Sequence, residues 1–482
     1  MPEHPAAGRK ERKMSRIRQA KIELYRRKGK IHPRAVGGRF DTLRWVAVWF
    51  TQVVFYGACW LDWNGRQAIL FDIPNERFHV LAWTFWPQDA LLLALALIFA
   101  ATLLFFVTAL AGRLFCGFAC PQTVYTSIFV WIEARVEGDH VARLRLDAAP
   151  HGPKKLLLRA AKHALWLLVA LWTGITFVGY FSPVDELLAR LAAGAPGPWE
   201  GFWTFFYALF TYVQAGFARE AVCQHMCPYS RFQGVMFDAA TKSVAYDARR
   251  GEPRGARRET GVRGDCVDCG LCVEVCPTGI DIRDGLQYQC INCGLCADAC
   301  DQVMTRIGAP TGLIRFAAER ELAGEAPPPG RPRVAVYGAA LVAVAAYGGW
   351  LLAERSPLLV DVLRDRGALL RETGDGIENA YTLRLSNRGA ADDAFAISAS
   401  GPPGLRVVGD DVVRAEAGSV RSVPLTLAVP EGTPGAGMQP IRIDVRSLRD
   451  PAVRRSERSS FALPAQRSSA DQSPAAGAAP PV

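Results

Sequence analysis

Apolar residues gather into five runs along the chain, at 42–61, 89–110, 155–181, 199–217 and 333–352. Each comes close to the ~20 residues a helix needs to cross the hydrocarbon layer of a bilayer. Trp60 and Trp63 stand at one end of the first run, as interfacial aromatics do. Beyond residue 356 the period changes from helical to two. Tyr381-Thr382-Leu383-Arg384-Leu385-Ser386, Ser422 to Val429 and Ile441-Arg442-Ile443-Asp444-Val445 alternate apolar and polar positions. Turn signals separate them at Asn387-Arg388-Gly389, Gly401 to Gly404 and Glu431 to Gly435. Short strands with regular turns over about 100 residues predict an all-β immunoglobulin-like sandwich at 356–464. It lacks cysteine and histidine and has only Met438, so it makes a poor copper binder by itself. The Ser/Ala/Pro-rich stretch 465–482 predicts a disordered tail.

Charge orients these elements. The formal net charge is +10, yet half the residues are apolar, and the two properties are segregated. Residues 1–41 are strongly basic and hold no apolar core of a secretory signal, which predicts a cytoplasmic segment. The 62–88 and 182–198 connections hold only Arg66, Arg77 and Arg190. The N-terminal segment, the 111–154 loop and the 218–332 segment are rich in Lys and Arg. The positive-inside rule then gives five spans in a bacterial inner membrane, with the N-terminus and 218–332 cytoplasmic and the C-terminal domain periplasmic. No nucleic-acid motif accompanies the basic balance, so membrane lipid is the expected partner of that charge.

Thirteen cysteines change the picture further. Cys266-x-x-Cys269-x-x-Cys272-x-x-x-Cys276-Pro277 repeats as Cys290-x-x-Cys293-x-x-Cys296-x-x-x-Cys300. Each half is the bacterial ferredoxin run, so an α+β di-cluster ferredoxin is expected at about 258–310. The fourth cysteine of each run ligates the other cluster by the usual geometry. Cys266, Cys269, Cys272 and Cys300 are thus expected on one [4Fe–4S] cluster, and Cys290, Cys293, Cys296 and Cys276 on the second. Gly270 and Gly294 allow the tight curl each cluster requires. Zinc needs only four ligands, and disulfides need an oxidising compartment.

Four more cysteines form a second symmetry. Cys116-Gly117-Phe118-Ala119-Cys120-Pro121 follows the second apolar run, and Cys223-Gln224-His225-Met226-Cys227-Pro228 follows the fourth. If helix continues through each motif, the paired thiols stack on one face at i and i+4. Soft thiolates there suit Cu(I), zinc or a further iron–sulfur centre, with His225 and Met226 as additional copper-ligand candidates. Buried packing cysteines are the bland alternative, and it is preferred for the single Cys59. His163 lies within the third run, where a polar residue is a functional candidate by default. The runs offer no paired histidines for haem.

The basic N-terminus, five spans, two Cys-x-x-x-Cys-Pro motifs, tandem ferredoxin run and sandwich together resemble the cytochrome c oxidase accessory proteins of the CcoG/FixG/RdxA family. The strings Trp63-Asn64-Gly65-Arg66-Gln67-Ala68, Phe71-Asp72-Ile73-Pro74 and Phe85-Trp86-Pro87-Gln88-Asp89 carry the same likeness, and Cys300 departs from it in preceding Asp301 rather than Pro. The resemblance implies an oxidoreductase that uses its clusters to reduce Cu(II) to Cu(I) during assembly of a cbb3-type oxidase. It implies oxidase subunits and copper-delivery proteins as partners, and a copper or electron-exit site at Cys116, Cys120, Cys223 and Cys227. Two other functions compete: a membrane ferredoxin linking quinone to a periplasmic reductase, and a non-enzymatic assembly scaffold.

Overall fold

In the computed structural model, residues 31–63, 65–255, 263–326, 330–365, 370–374, 376–389 and 391–464 are described. The basic residues 1–30 and the 465–482 tail lie outside them. The chain divides into two compact units, 1–78 with 93–346, and 79–92 with 347–482.

The first unit is built on helices α1 (Arg39–Gly57), α2 (Ala90–Ala111, which starts in the second unit), α3 (Leu114–Phe118), α4 (Pro121–Val136), α5 (Pro153–Gly179) and α6 (Pro198–Val213). Among the described residues four helical stretches are long and apolar enough to cross a membrane: Pro87–Ala111, Leu114–Val136, Pro153–Gly179 and Pro332–Ala353. Three of these match expected runs. The expected runs at 42–61 and 199–217 form α1 and α6, but neither is among the four. α1 carries Arg44, Thr51 and Gln52, and α6 has only 16 residues before its winding changes. Both still expose apolar surface, including Trp49, Phe50 and Phe205.

The stretch 111–154, read from sequence as a basic connecting loop, is instead largely helical. Its charge misled that reading because Arg113 and Arg143 of this stretch are buried, and Glu133 inside it gathers further cations from outside it. Glu133 is fully buried and accepts from Arg219 at 2.6 Å and from Arg143 at 3.4 Å. Lys162 lies 2.9 Å from Glu137 and 3.8 Å from Glu133. Buried charges persist only when paired in this way. Around them Phe129 stacks on Trp166 at 5.1 Å, with Ile132, Ala170 and Ala215 completing a small core. α5 and α6 cross at Gly174, where an added Cβ would stand 2.4 Å from the Thr204 carbonyl oxygen. Only glycine permits that approach.

The ferredoxin segment closes on β1 (Ser243–Tyr246) and β2 (Ile314–Ala317), an antiparallel pair, with helix α8 (Leu295–Arg306) behind; α7 (Pro228–Met236) precedes it. Val244, Met304, Leu313 and Ile314 form its core. α8 also completes α1. The Asp298 carboxylate accepts from the Phe40 and Asp41 backbone N–H groups at 3.2 and 2.8 Å, capping the first turn of α1 from another element. Such a cap satisfies donors that every helix start leaves open.

Helix α9 (Pro332–Ala353) leads into the second unit, whose strands are β3 (Leu358–Arg364), β4 (Gly376–Asn387), β5 (Asp393–Ser400), β6 (Arg406–Val408), β7 (Val412–Ala415), β8 (Val420–Val429), β9 (Gly437–Ser447) and β10 (Arg454–Leu463). One antiparallel sheet runs β6-β8-β4-β3, with the short strand Arg371–Thr373 also paired to β4, and the other runs β7-β5-β9-β10. All three segments with period two lie within β4, β8 and β9. Their inward positions, among them Leu383, Leu385, Leu427, Ile443 and Val445, fill the space between the sheets. Polar ties lock the layers: Asn379 exchanges two hydrogen bonds with the Ala462 backbone, and the Tyr381 hydroxyl donates to the Ser460 carbonyl at 2.8 Å. Asp89 belongs to this unit and pairs with Arg355 at 2.7 Å and Arg388 at 3.2 Å.

Candidate iron–sulfur and membrane-edge cysteine site

The two cysteine runs fold alike. In each, two residues of the loop take positive φ: Asp268 (53°) and Gly270 (70°), then Asn292 (55°) and Gly294 (77°). Left-handed backbone costs little for Gly, Asn and Asp, and it turns the thiols inward. Two hollows result. One is lined by Cys266, Cys269, Cys272 and Cys300. The other is lined by Cys276, Cys290, Cys293 and Cys296, with Cys272 on its edge as well. Each fourth cysteine reaches the opposite hollow, which is the crossed arrangement expected from the spacing.

The donor chemistry fits a cubane cluster. All thirteen cysteines are free, which removes a disulfide framework. Four thiols line each hollow, the donor set of a [4Fe–4S] core. Burial pushes the Cys290 and Cys300 thiols up to about 12 and Cys272 up to about 11. Thiolates form there only with a cation as partner, and loading iron releases their protons.

The four remaining motif cysteines lie beside the second hollow. Each motif ends on the same hydrogen bond, from the second cysteine's N–H to the residue before the first: Cys120 to Phe115 at 2.9 Å, and Cys227 to Val222 at 2.8 Å. That i to i−5 closure ends the helix. Cys120 and Cys227 take extended backbone and stand as N-cap residues for α4 and α7, whose first residues are Pro121 and Pro228. Proline suits that first position because its missing N–H leaves nothing unsatisfied. The i, i+4 stacking expected from unbroken helix therefore does not occur. Cys120, Cys223 and Cys227 all lie within electrostatic reach of Cys116.

Cys116 packs against the buried cluster that contains Ile291 and Cys293 of the second cluster loop. Next to it, a Cβ added to Gly117 would lie 2.7 Å from the Ile291 carbonyl oxygen and 3.0 Å from the Cys293 Cα. The Cys116 thiol donates to Gln233 Oε1 at 3.1 Å, and Gln233 is itself fully buried. His225 and Met226 are both exposed. Cys59 is buried, its thiol donating to the Tyr56 carbonyl at 3.5 Å. His163 meets the Tyr212 hydroxyl at 3.0 Å inside the helical core.

Sequence reasoning missed Arg113. Its guanidinium donates to the Tyr288 carbonyl just ahead of Cys290 and to the Ser230 carbonyl just after Cys227. It also lies within electrostatic reach of Cys116, Cys223, Cys227 and Cys290, so one cation joins both motifs to the second cluster loop. The available signal was a lone arginine between the most apolar run and Cys116. Asn292 was missed too. It donates to the Ala111 carbonyl at 3.3 Å and fixes the cluster loop on the end of α2.

Family comparisons agree with this division. A 4Fe-4S dicluster domain matches residues 218–319, and a 4Fe-4S binding domain matches 93–136. The Ig-like fold at the C-terminus of FixG, a putative oxidoreductase, matches 348–464. Together with the apolar helices these define a membrane-bound iron–sulfur electron-transfer protein. Over 398 residues the chain is 40% identical to Protein RdxA of Cereibacter sphaeroides, covering 80% of this chain and 85% of that one. Protein RdxB of the same organism is 38% identical, covering 88% of this chain and 93% of its own length. The nitrogen fixation protein FixG of Rhizobium meliloti is 33% identical, covering 80% and 82%. The chain belongs to the FixG/RdxA family.

Proposed function

We propose that this chain is a cupric reductase of the inner membrane, supplying Cu(I) for assembly of a cbb3-type cytochrome c oxidase. In this reading Cys266, Cys269, Cys272 and Cys300 hold one [4Fe–4S] cluster, and Cys276, Cys290, Cys293 and Cys296 hold the second. The clusters supply one-electron transfer. Cu(II) takes one electron and becomes Cu(I), which soft sulfur ligands favour. Cys116, Cys120, Cys223 and Cys227 guide copper to within electron-transfer range, and the exposed Met226 and His225 receive it first. Copper is the substrate and not a resident ion. The ferredoxin segment faces the cytoplasm and the sandwich the periplasm, where oxidase subunits and copper-delivery proteins meet it.

One observation carries this reading: the Cys116 turn lies directly on the Ile291–Cys293 backbone of the second cluster loop. Arg113 holds the two together, so a metal at the motif cysteines sits next to the electron source. The test is anaerobic titration of the purified, reduced protein with Cu(II), followed by EPR. The expected result is loss of one reduced-cluster equivalent for each Cu(II) converted. A variant with all four motif cysteines replaced by serine, clusters intact, should lose this reaction. Full-rate Cu(II) reduction by that variant would end the proposal.

A further inference from the structure

A cleft in the helical region ends beside the second cluster loop, and nothing above uses it. Its wider part is a cavity of about 680 Å³ between α1, α4 and α5, lined almost wholly by apolar and aromatic side chains. Trp49, Val53, Leu168 and Trp172 form its outer walls, and all four are exposed on the apolar surface of the helices. Its narrower part, about 190 Å³, continues inward past Arg44 and Glu220 to Val275 and Pro277, the residues on either side of Cys276. Trp45, Val48 and Trp131 line both parts, so the two adjoin across these three side chains.

Polar groups stand where the passage turns from apolar to charged. Gln52 is 8% exposed, lines the wide part, and its Oε1 has no hydrogen-bond partner. Arg44 donates to Ser127 at 2.7 Å, while its buried Nε meets no acceptor. A buried carbonyl without a donor costs ~1–3 kcal/mol, which a ligand hydroxyl would recover. The size falls within the range of small-molecule sites, apolar with a few placed polar groups.

We infer that this passage binds an isoprenoid quinol, which reduces the protein. The chemistry follows the lining. The tail lies along Trp49, Val53 and Trp172 and leaves into lipid. The ring sits between Trp45 and Trp131. Gln52 Oε1 accepts from one quinol hydroxyl, and the Arg44 N–H groups face the other oxygen; both oxygens become carbonyls on oxidation. Oxidation breaks two O–H bonds, giving quinone, two protons and two electrons. Asp41 and Glu220, both on the narrow part, are the carboxylates placed to take the protons. Two one-electron centres accept the two electrons, one each, so the balance closes without a further co-reactant. A phospholipid tail would fill the apolar part but leave Gln52 Oε1 without a donor. The inference rests on the iron–sulfur assignment and is independent of copper.

The test uses the full-length protein in detergent with short-tailed ubiquinone and ubiquinol. Quinone should quench tryptophan fluorescence saturably, and excess phospholipid should not abolish the quenching. Gln52→Leu should weaken binding about tenfold, the equivalent of one lost hydrogen bond to a buried acceptor. Val53→Trp, a change at an exposed wall position, should block the tail and abolish saturable quenching even if Gln52→Leu folds poorly. Under anaerobic conditions ubiquinol should bleach the visible iron–sulfur absorbance by two electrons per protein, and both variants should slow this while dithionite reduces them normally. Unsaturable quenching in the parent protein, or unchanged affinity in both variants, overturns the inference. Cu(II) oxidation of dithionite-reduced Val53→Trp should proceed at the parent rate, which separates a failure here from a failure of the copper reading.

Discussion

The two Cys-x-x-x-Cys-Pro motifs share a hydrogen bond, a helix break and a proline start, yet they sit in different surroundings. The first is enclosed. Cys116 has the second cluster loop on one side and buried Gln233 on the other, and Gly117 leaves no room for a side chain. The second is open and wound more widely. Gln214–Ala218 and Val222–Met226 both follow i to i+5 bonding, and Arg219 between them has φ of 40°. Wide turns and left-handed non-glycine residues cost energy and cluster at functional sites. The strain at Arg219 is held by its bonds to the Gly216 carbonyl at 3.0 Å and to Glu133 at 2.6 Å. The two motifs thus share their closure and differ in surroundings, one set against the second cluster loop and one carrying the exposed His225 and Met226.

This contrast can be broken from either side. The largest effect is expected at Glu133, whose loss leaves Arg219 and Arg143 buried without their carboxylate. Glu133→Gln should cost about 3–5 kcal/mol, read as a fall in thermal midpoint, and should disturb the second motif while cluster absorbance persists. Gly117→Ala comes next. Its methyl group meets backbone, so about 1–3 kcal/mol and part of the second cluster's absorbance should be lost. The matching change Gln224→Ala should leave both unchanged. Gln233→Leu removes the acceptor of the Cys116 thiol and should cost about 0.5–1.5 kcal/mol, measured by denaturant melting. Smallest is Met226→Ala, with stability within about 0.5 kcal/mol, as expected at an exposed site. If copper meets the protein there, the same variant needs more Cu(II) for half-maximal oxidation of the reduced protein. An equal response of Gly117→Ala and Gln224→Ala would erase the distinction between enclosed and open motifs.

The sandwich was legible because its signal is local: Tyr381, Leu383 and Leu385 of β4, Leu425, Leu427 and Val429 of β8, and Ile441, Ile443 and Val445 of β9 stand two residues apart and face the core. The cysteine runs were legible for the same reason, since ligand spacing and left-handed glycines lie within eleven residues of chain. The motif turns were half legible. Their spacing announced a pair, but proline after the second cysteine was also a sign that helix stops there, and that sign favoured a break over stacked thiols. What stayed hidden is non-local. Arg143 and Lys162 counted as loop or span-edge charge, whereas their carboxylate partners Glu133 and Glu137 become neighbours only in the folded chain. Asp298 reads as one acidic residue of a cysteine-rich helix, and nothing near it in sequence announces that it serves α1. Gln67 likewise belongs to a recognisable outer string. Its reason for being there is a buried bridge, Nε2 to the Gly179 carbonyl at 2.7 Å and Oε1 from the Val184 N–H at 3.1 Å.

The Asp298 cap has a consequence for biogenesis. Helix α1 is made early by the ribosome, yet the acceptor that completes its first turn arrives more than 250 residues later. That acceptor rides on α8 together with Cys296 and Cys300, so the helix that carries two of the expected cluster cysteines also completes the start of α1. Until that carboxylate has been made, the N–H groups of Phe40 and Asp41 are left to water, so the start of α1 waits on a residue far along the chain.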